Sequence, residues 1–411
     1  MMGFEYLPHV HALPFLNGVI IAVDAIPRAF LVVDGPYCVQ TKAEMQTCHN
    51  LRSDLVPPFG RSRVVHTGTR PQVEVETVTS LVLDRTREVE ERVAEVARWP
   101  EADVVFVTAF DVHDLVGLPL DEVAARVRDS TRKPVLYLPS LSLRGDWLDG
   151  YAGVCEALAR AIPLRPSCRS GATVAVVGHL MDRDEPDQRA NLAEMRRLLA
   201  GIGLELGSVW LCGEGPGALA RVEQAVLVAA LPYARNAARV LGERLGVPVV
   251  EVPLPVGLSA TEEFLRRIAS AAGCMDRCEA FLEAEVSAAV RDTERHVYRF
   301  VSGRRVVAAI ADPHLREGLR SFCRDIGAIP ASPEEAFPAA SRDRDSGGPR
   351  AVAFLSSTPD MAFATVPVIP FGYPNYLDHP IHPRPFLGFA GFRTLVEAVS
   401  RAMLAIPDRT G

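Results

Sequence analysis

The chain has 411 residues, of which 48% are apolar and 23% charged, and it carries a net charge of −7. This composition excludes intrinsic disorder, and the absence of a basic block argues against a nucleic-acid surface. No apolar run reaches the ~20 residues of a membrane-spanning helix, and Met1-Met2-Gly3-Phe4-Glu5 lacks the basic start of a secretory signal, so the expected protein is cytoplasmic, with no membrane partner and two or three domains.

In chain order, short apolar runs alternate with amphipathic stretches, the pattern of parallel α/β layers. Strands are expected at Gly18–Val23, Ala29–Val33, Asp103–Thr108, Pro134–Leu138, Thr173–Gly178, Ala225–Ala230, Pro248–Val252, Val306–Ala311, Ala351–Leu355 and Val366–Pro370. Nearly all are uninterrupted apolar runs, as strands covered on both faces require. Helices are expected at Leu83–Arg98, Leu120–Arg132, Asp149–Ala161, Asn191–Ala200, Tyr233–Leu245, Thr261–Ala272, Pro313–Asp325 and Phe392–Ala405, with a long one near Cys278–Val301. A weak repeat relates two units. In each, a strand leads to a helix that ends on a glycine suited to a left-handed terminus, at Gly201-Ile202-Gly203 and at Ile326-Gly327. Arg165–Gly171 reads as a linker and Ala331–Arg350 as a polar surface loop. The fold class is α/β, with three Rossmann-like domains of parallel sheet and helices on both faces, expected at 1–166, 167–295 and 296–411.

Eight cysteines in a chain of this length do not form a disulfide framework, so each is a small packed residue, a ligand or a nucleophile. Asp34-Gly35-Pro36-Tyr37-Cys38 directly follows the strand Ala29–Val33. Glycine and proline turn the chain there and deliver Cys38 to the carboxyl edge of the sheet, where ligands of open α/β sheets bind. Cys48 follows about three helical turns later. Thiolates there suit iron or zinc, and the alternative is that both cysteines are packed. His66-Thr67-Gly68-Thr69-Arg70 is either an anion-binding turn or simply a turn. Cys212-Gly213-Glu214-Gly215-Pro216-Gly217 is glycine-rich, but it lacks a Walker lysine and carries a glutamate that would repel phosphate. Cys274 and Cys278 stand four apart, two thiols that cannot close a tetrahedral site by themselves. After the last strand, Phe371–Pro383 holds Tyr373, His379 and His382 among prolines, a rigid loop whose imidazoles either transfer protons or merely hydrogen-bond.

Four segments together resemble the nitrogenase component 1 family, which includes molybdenum–iron protein subunits, cofactor-assembly scaffolds and the catalytic subunits of protochlorophyllide and chlorophyllide reductases. They are Asp34–Cys38, similar to that family's cluster-binding Gly-Pro-x-Gly-Cys turn; Thr108–Asp121 with Pro134-Val135 and Arg144–Tyr151; Asn191–Gly203; and Pro385–Phe392. The resemblance implies three Rossmann-like domains around a central cleft, with the C-terminal helix returning to the first domain. It also implies departures. No cysteine precedes the turn at Cys38, Ala109-Phe110-Asp111 stands where another is usual, and Leu231 lies near the position of the molybdenum–iron α-subunit's cofactor cysteine. The chain therefore looks like the ligand-poor member of such a pair, and not like a nitrogen-fixing subunit.

What the resemblance implies is a subunit of a nitrogenase-like reductase. It would pair with a paralogous subunit or with itself, and take electrons from an ATP-dependent iron–sulfur reductase component. Cys38, with Asp34, Cys48 or Asp111, would contribute to an iron–sulfur cluster at the subunit boundary; Cys38 and Cys48 are the metal candidates. His379, His382 and Tyr373 would line the cavity of a tetrapyrrole-like substrate. The rival is a non-redox scaffold or binding protein for a tetrapyrrole or metallocofactor, and a third possibility is a structural partner with no ligand.

Overall fold

The computed structural model describes residues 13–40, 43, 63–67, 84–165, 171–180, 185–331, 351–355, 367–373 and 380–405. Among them are twelve strands in three parallel sheets. β1 (Ala29–Asp34), β2 (Val64–His66), β3 (Val104–Ala109) and β4 (Val135–Tyr137) form the first. β5 (Thr173–Val177), β6 (Glu205–Val209), β7 (Leu227–Ala230) and β8 (Val249–Glu251) form the second. β9 (Arg305–Ala309), β10 (Ile329–Ala331), β11 (Ala351–Leu355) and β12 (Val368–Pro370) form the third. The order repeats: β2-β1-β3-β4, β6-β5-β7-β8 and β10-β9-β11-β12. In each sheet the first strand has its successor on one side and the third strand on the other, so each has a switch point at the carboxyl ends of its two central strands. The expected α/β class with three Rossmann-like sheets is what the chain builds.

The chain forms two compact units, one comprising Leu13–Arg183 with Gly207–Val249, the other including Asp184–Leu206 and Val250–Gly411. In the first unit, Phe30, Val32, Val105 and Val107 of the central strands pack with Val89, Val93 and Val96 of the helix Thr86–Arg98 and with Leu120, Val123 and Val127 of the helix Leu120–Thr131. All six residues of β1 and of β3 are buried, which is why these segments read as unbroken apolar runs.

One expected strand is a helix. Gly18–Val23 lies within the helix Phe15–Asp24, all ten residues of which are buried. A helix covered on every side shows no polar face, so its apolar run cannot be told from a buried strand by periodicity. It packs against the helix Trp147–Ala161 at backbone contact: a Cβ at Gly18 would lie 1.6 Å from the Trp147 carbonyl oxygen, and one at Gly150 would lie 2.1 Å from that of Phe15. The strands β6 and β10 were not expected. Both are edge strands, and they carry the exposed residues Glu205, Gly207, Ile329 and Pro330, so neither is an apolar run.

The repeat between the second and third sheets extends to helix ends. Ile202 (φ −99°, ψ 8°) and Ile326 (φ −102°, ψ 8°) close the helices Pro186–Gly201 and Pro313–Asp325 in the same conformation. Gly203 and Gly327 follow at φ +82° and +64°, and Leu204 and Ala328 then donate back to Leu199 and Cys323. The expected linker at 165–171 and loop at 331–350 lie largely outside the described residues.

The helix Gly388–Leu404 starts four residues before its expected beginning at Phe392, because its first turn is capped from a distance. Buried Asn191 Oδ1 accepts from the Phe386 and Leu387 amides at 2.8 and 3.1 Å, and Glu194 Oε1 accepts from the Ala390 amide at 3.1 Å. Glu194 is itself held by Arg197, which also pairs with Glu285 of the helix Met275–His296. Two of the four segments singled out in the sequence thus meet, and the helix terminus sees partners 195 residues away in the chain. Asn191→Ala strips two buried amides of their acceptor and is expected to lower unfolding stability by about 2–3 kcal/mol, measured by denaturant titration.

Candidate functional site at the carboxyl edge of the first sheet

β1 runs out of the core at Asp34, and the chain turns through Gly35 and Pro36 at the switch point between β1 and β3. Val39 and Gln40 donate to the carbonyls of Pro36 and Tyr37, each at 3.1 Å, so a helical turn opens at once, with Cys38 as its first residue. Cys38 is exposed. Tyr37 beside it is 45% exposed and stands edge-on to His66 at 5.2 Å, at the end of β2.

Beneath this turn lies a buried charged network. Asp34 is 1% exposed. Its Oδ1 accepts from the Thr67 hydroxyl at 2.6 Å and from Arg85 Nη1 at 3.5 Å, and His113 Nδ1 stands 3.3 Å from Oδ2. Arg85 also donates to the Thr67 carbonyl at 3.0 Å, and the Thr67 hydroxyl accepts from the Gly35 amide at 3.3 Å. Burial alone would raise the Asp34 pKa. The hydrogen bonds from His113 and Thr67 and the charges of His113 and Arg85 outweigh it and hold the carboxyl below its ordinary value. The three partners come from three places: Thr67 follows β2, Arg85 immediately precedes the helix Thr86–Arg98, and His113 lies on the short helix Asp111–Val116 after β3.

Of the residues singled out in the sequence, Asp34, Cys38 and half-buried Asp111 are brought to this one edge. Cys48 and His379 lie outside the described residues. Tyr373, half-buried, and His382, exposed, belong to the other unit, beyond β12. There Phe371 stacks edge-on to Phe354 at 5.4 Å and to Phe386 at 5.0 Å, a firm base for the segment that bears Tyr373. Of the glycine-rich segment, Glu214 pairs with Arg221 at 2.6 Å, leaving an acidic side chain where a phosphate cradle would need donors. Cys274 precedes the helix Met275–His296 and Cys278 is buried within it. Sequence reasoning missed Arg85 and His113, which stand 51 and 79 positions from Asp34 with no local spacing to mark them; the one signal was an aspartate closing an apolar strand, which must find a partner when buried.

The thiols divide sharply. Burial pushes those of Cys155 and Cys323 up to about 12, and burial together with Glu279 pushes that of Cys278 up to about 11. Cys38 alone of these four is open to solvent. Maleimide labelling of the native protein, read by peptide mass spectrometry, is expected to modify Cys38 at least about 100-fold faster than the other three.

An iron–sulfur group needs about four thiolate or related ligands. Among the described residues no group of three or more His, Cys, Asp or Glu side chains could hold a metal ion. Among the described residues, this edge offers such a group one exposed thiol, that of Cys38. No helix among the described residues is long and apolar enough to cross a membrane.

The architecture has relatives. A solved structure titled "Nitrogenase Cp1 at pH 6.5" superposes with a TM-score of 0.75 at 15% sequence identity, over 98% of this chain and 94% of that one. A second, "Nitrogenase Cp1 at pH 5", gives a TM-score of 0.57 at 13% identity, over 86% of this chain and 67% of that one. At such identities the likeness establishes the fold. The model of the nitrogenase component 1 type oxidoreductase family matches residues 65–332, more than half of the sequence. By this match over more than half of its sequence, the chain belongs to the nitrogenase component 1 type oxidoreductase family.

Proposed function

We propose that the protein is a subunit of a nitrogenase-like reductase that receives electrons from an ATP-dependent iron–sulfur reductase component and delivers them to a substrate other than N2, of tetrapyrrole-like class. Its partner is a paralogous component 1-like subunit or a second copy of itself. The observation that carries this reading is the position of Cys38: an exposed thiol on the first helical turn after a buried strand, at the switch point of a sheet in a chain of this family.

In this reading Cys38 Sγ holds iron at the boundary with the partner, and Cys48 and Asp111 are further candidate ligands. A bound iron–sulfur cluster would supply one-electron relay. In this reading the partner supplies the ligands that complete the set. Tyr373 and His382, beyond β12, and His379, which lies between them in the sequence, are the proposed proton donors. Imidazole suits that task, since its ordinary pKa lies near neutrality.

The test is iron and acid-labile sulfide content, with a near-visible spectrum, after anaerobic purification from the native host together with any co-purifying subunit. Stoichiometric iron and sulfide are expected, with loss of at least about half of both on Cys38→Ala. A colourless, iron-free complex would overturn the reading and favour a scaffold or binding protein for a tetrapyrrole or metallocofactor.

A further inference from the structure

We infer that Asp34 is not an iron ligand but the keystone of a buried bracket, with Thr67, Arg85 and His113, that positions the turn bearing Cys38; the inference rests on the reading of Cys38 as the cluster-holding residue. Asp34 directly precedes the Gly-Pro turn and so looks, in the sequence, like a carboxylate available to iron. Its surroundings say otherwise. One oxygen is taken by the Thr67 hydroxyl and Arg85, the other by His113, and the residue is 1% exposed. To reach a metal it would have to abandon an arginine that is 5% exposed and a histidine that is 6% exposed. His113 would lose its carboxylate, and Arg85 would keep only the exposed Glu88, at 3.4 Å, a costly way to break such a set.

The same contacts explain what the set does. The Thr67 hydroxyl donates to Asp34 and accepts from the Gly35 amide, three residues before Cys38. The Asp34 carbonyl accepts from the Phe110 amide at 2.9 Å, and the Thr67 amide donates to the Val33 carbonyl at 3.2 Å. The chain leaving β1 is therefore stitched on both sides, to the ends of β2 and β3. A Cβ at Gly35 would stand 2.8 Å from the Phe110 Cβ, so the turn lies close against the β3 side as well. Arg85 closes the set by holding both the carbonyl and the hydroxyl of Thr67. Asp34, Thr67, Arg85 and His113 are thus positioning residues: they act on Cys38 through the backbone at 34–35, and none needs to touch iron.

The experiment uses the full chain with its native partner, purified anaerobically, and four variants: Asp34→Cys, Asp34→Asn, Thr67→Val and Thr67→Ser. Asp34→Cys supplies an iron donor but has no carboxylate to hold Thr67, Arg85 and His113 together, so it separates a ligand from a keystone. Hydrogen exchange is read over peptides covering 34–40 and 110, and iron content and the near-visible spectrum are read on the same samples. Asp34→Cys and Thr67→Val are expected to speed exchange at 34–40 by about tenfold or more and to lower iron content, while Thr67→Ser, which keeps the hydroxyl, restores wild-type exchange and spectrum. Asp34→Asn is expected to fall between them, keeping one acceptor and losing the charge. Full iron in Asp34→Cys with wild-type exchange would overturn the inference in favour of a ligand. If the Asp34 variants do not fold, wild-type exchange in Thr67→Val would overturn it by itself. Absence of iron from the wild-type complex with the exchange pattern as expected would remove the cluster assignment and leave the bracket standing.

Discussion

Gly18→Val is expected to yield no folded protein, and Gly18→Ala to lower unfolding stability by about 3 kcal/mol or more, because the helices Phe15–Asp24 and Trp147–Ala161 touch backbone to backbone. The added methyl of alanine would start 1.6 Å from the Trp147 carbonyl oxygen, a backbone atom within a capped helix that cannot step aside. The facing glycine makes the same demand: a Cβ at Gly150 meets the Phe15 oxygen at 2.1 Å and the Val19 nitrogen at 2.9 Å. Separation of the helices would open the burial of ten residues. Gly153, on the same helix as Gly150, has no atom within 4 Å of its would-be Cβ. Gly153→Ala is therefore expected to be neutral or to stabilise by up to about 1 kcal/mol through helix propensity. Denaturant midpoints and soluble yield of the three variants decide it. Equal losses at positions 18 and 153 would show that the helices do not cross at the glycines.

Removal of the Asp34 side chain should cost almost as much. Asp34→Ala takes the carboxylate from buried His113 and leaves Arg85 with the exposed Glu88, at 3.4 Å, as its remaining anion, for which about 2–4 kcal/mol is expected. The effect depends on pH in a definite direction. The Asp34 carboxyl is held below its ordinary value in the folded protein, so the unfolded chain takes up its proton first as pH falls. The stability contributed by ionised Asp34 is thus complete above the ordinary carboxylate range, near pH 4, and is lost as pH drops through the lowered native value. The stability difference between wild type and Asp34→Asn should be largest between about pH 6 and 7 and shrink below about pH 4, measured by denaturant unfolding across that range. A difference that grew on acidification would mean that the native site favours the protonated acid.

Much of this molecule is legible in one dimension. β1, β3, β5, β7, β9 and β11 fall within a residue or two of the apolar runs that suggest them, because a strand covered on both faces has no polar position to interrupt it. The left-handed glycines at 203 and 327 follow from the same local logic. The misreading at Gly18–Val23 has the same origin as these successes, since complete burial erases the period that separates helix from strand. The start of the helix at Gly388 was hidden because its caps, Asn191 and Glu194, are supplied from a distant segment.

By itself the sequence determined the layered α/β class, the family-like order of its four segments and the placing of Cys38 beyond the end of a buried strand, since each of these depends on neighbours along the chain. Only the tertiary structure decided which groups surround Asp34. Thr67, Arg85 and His113 lie 33, 51 and 79 positions away, and a buried carboxylate chooses its partners by distance in space. That choice turns an aspartate that resembled a metal ligand into the centre of an ion-paired bracket, and it leaves the thiol beside it exposed.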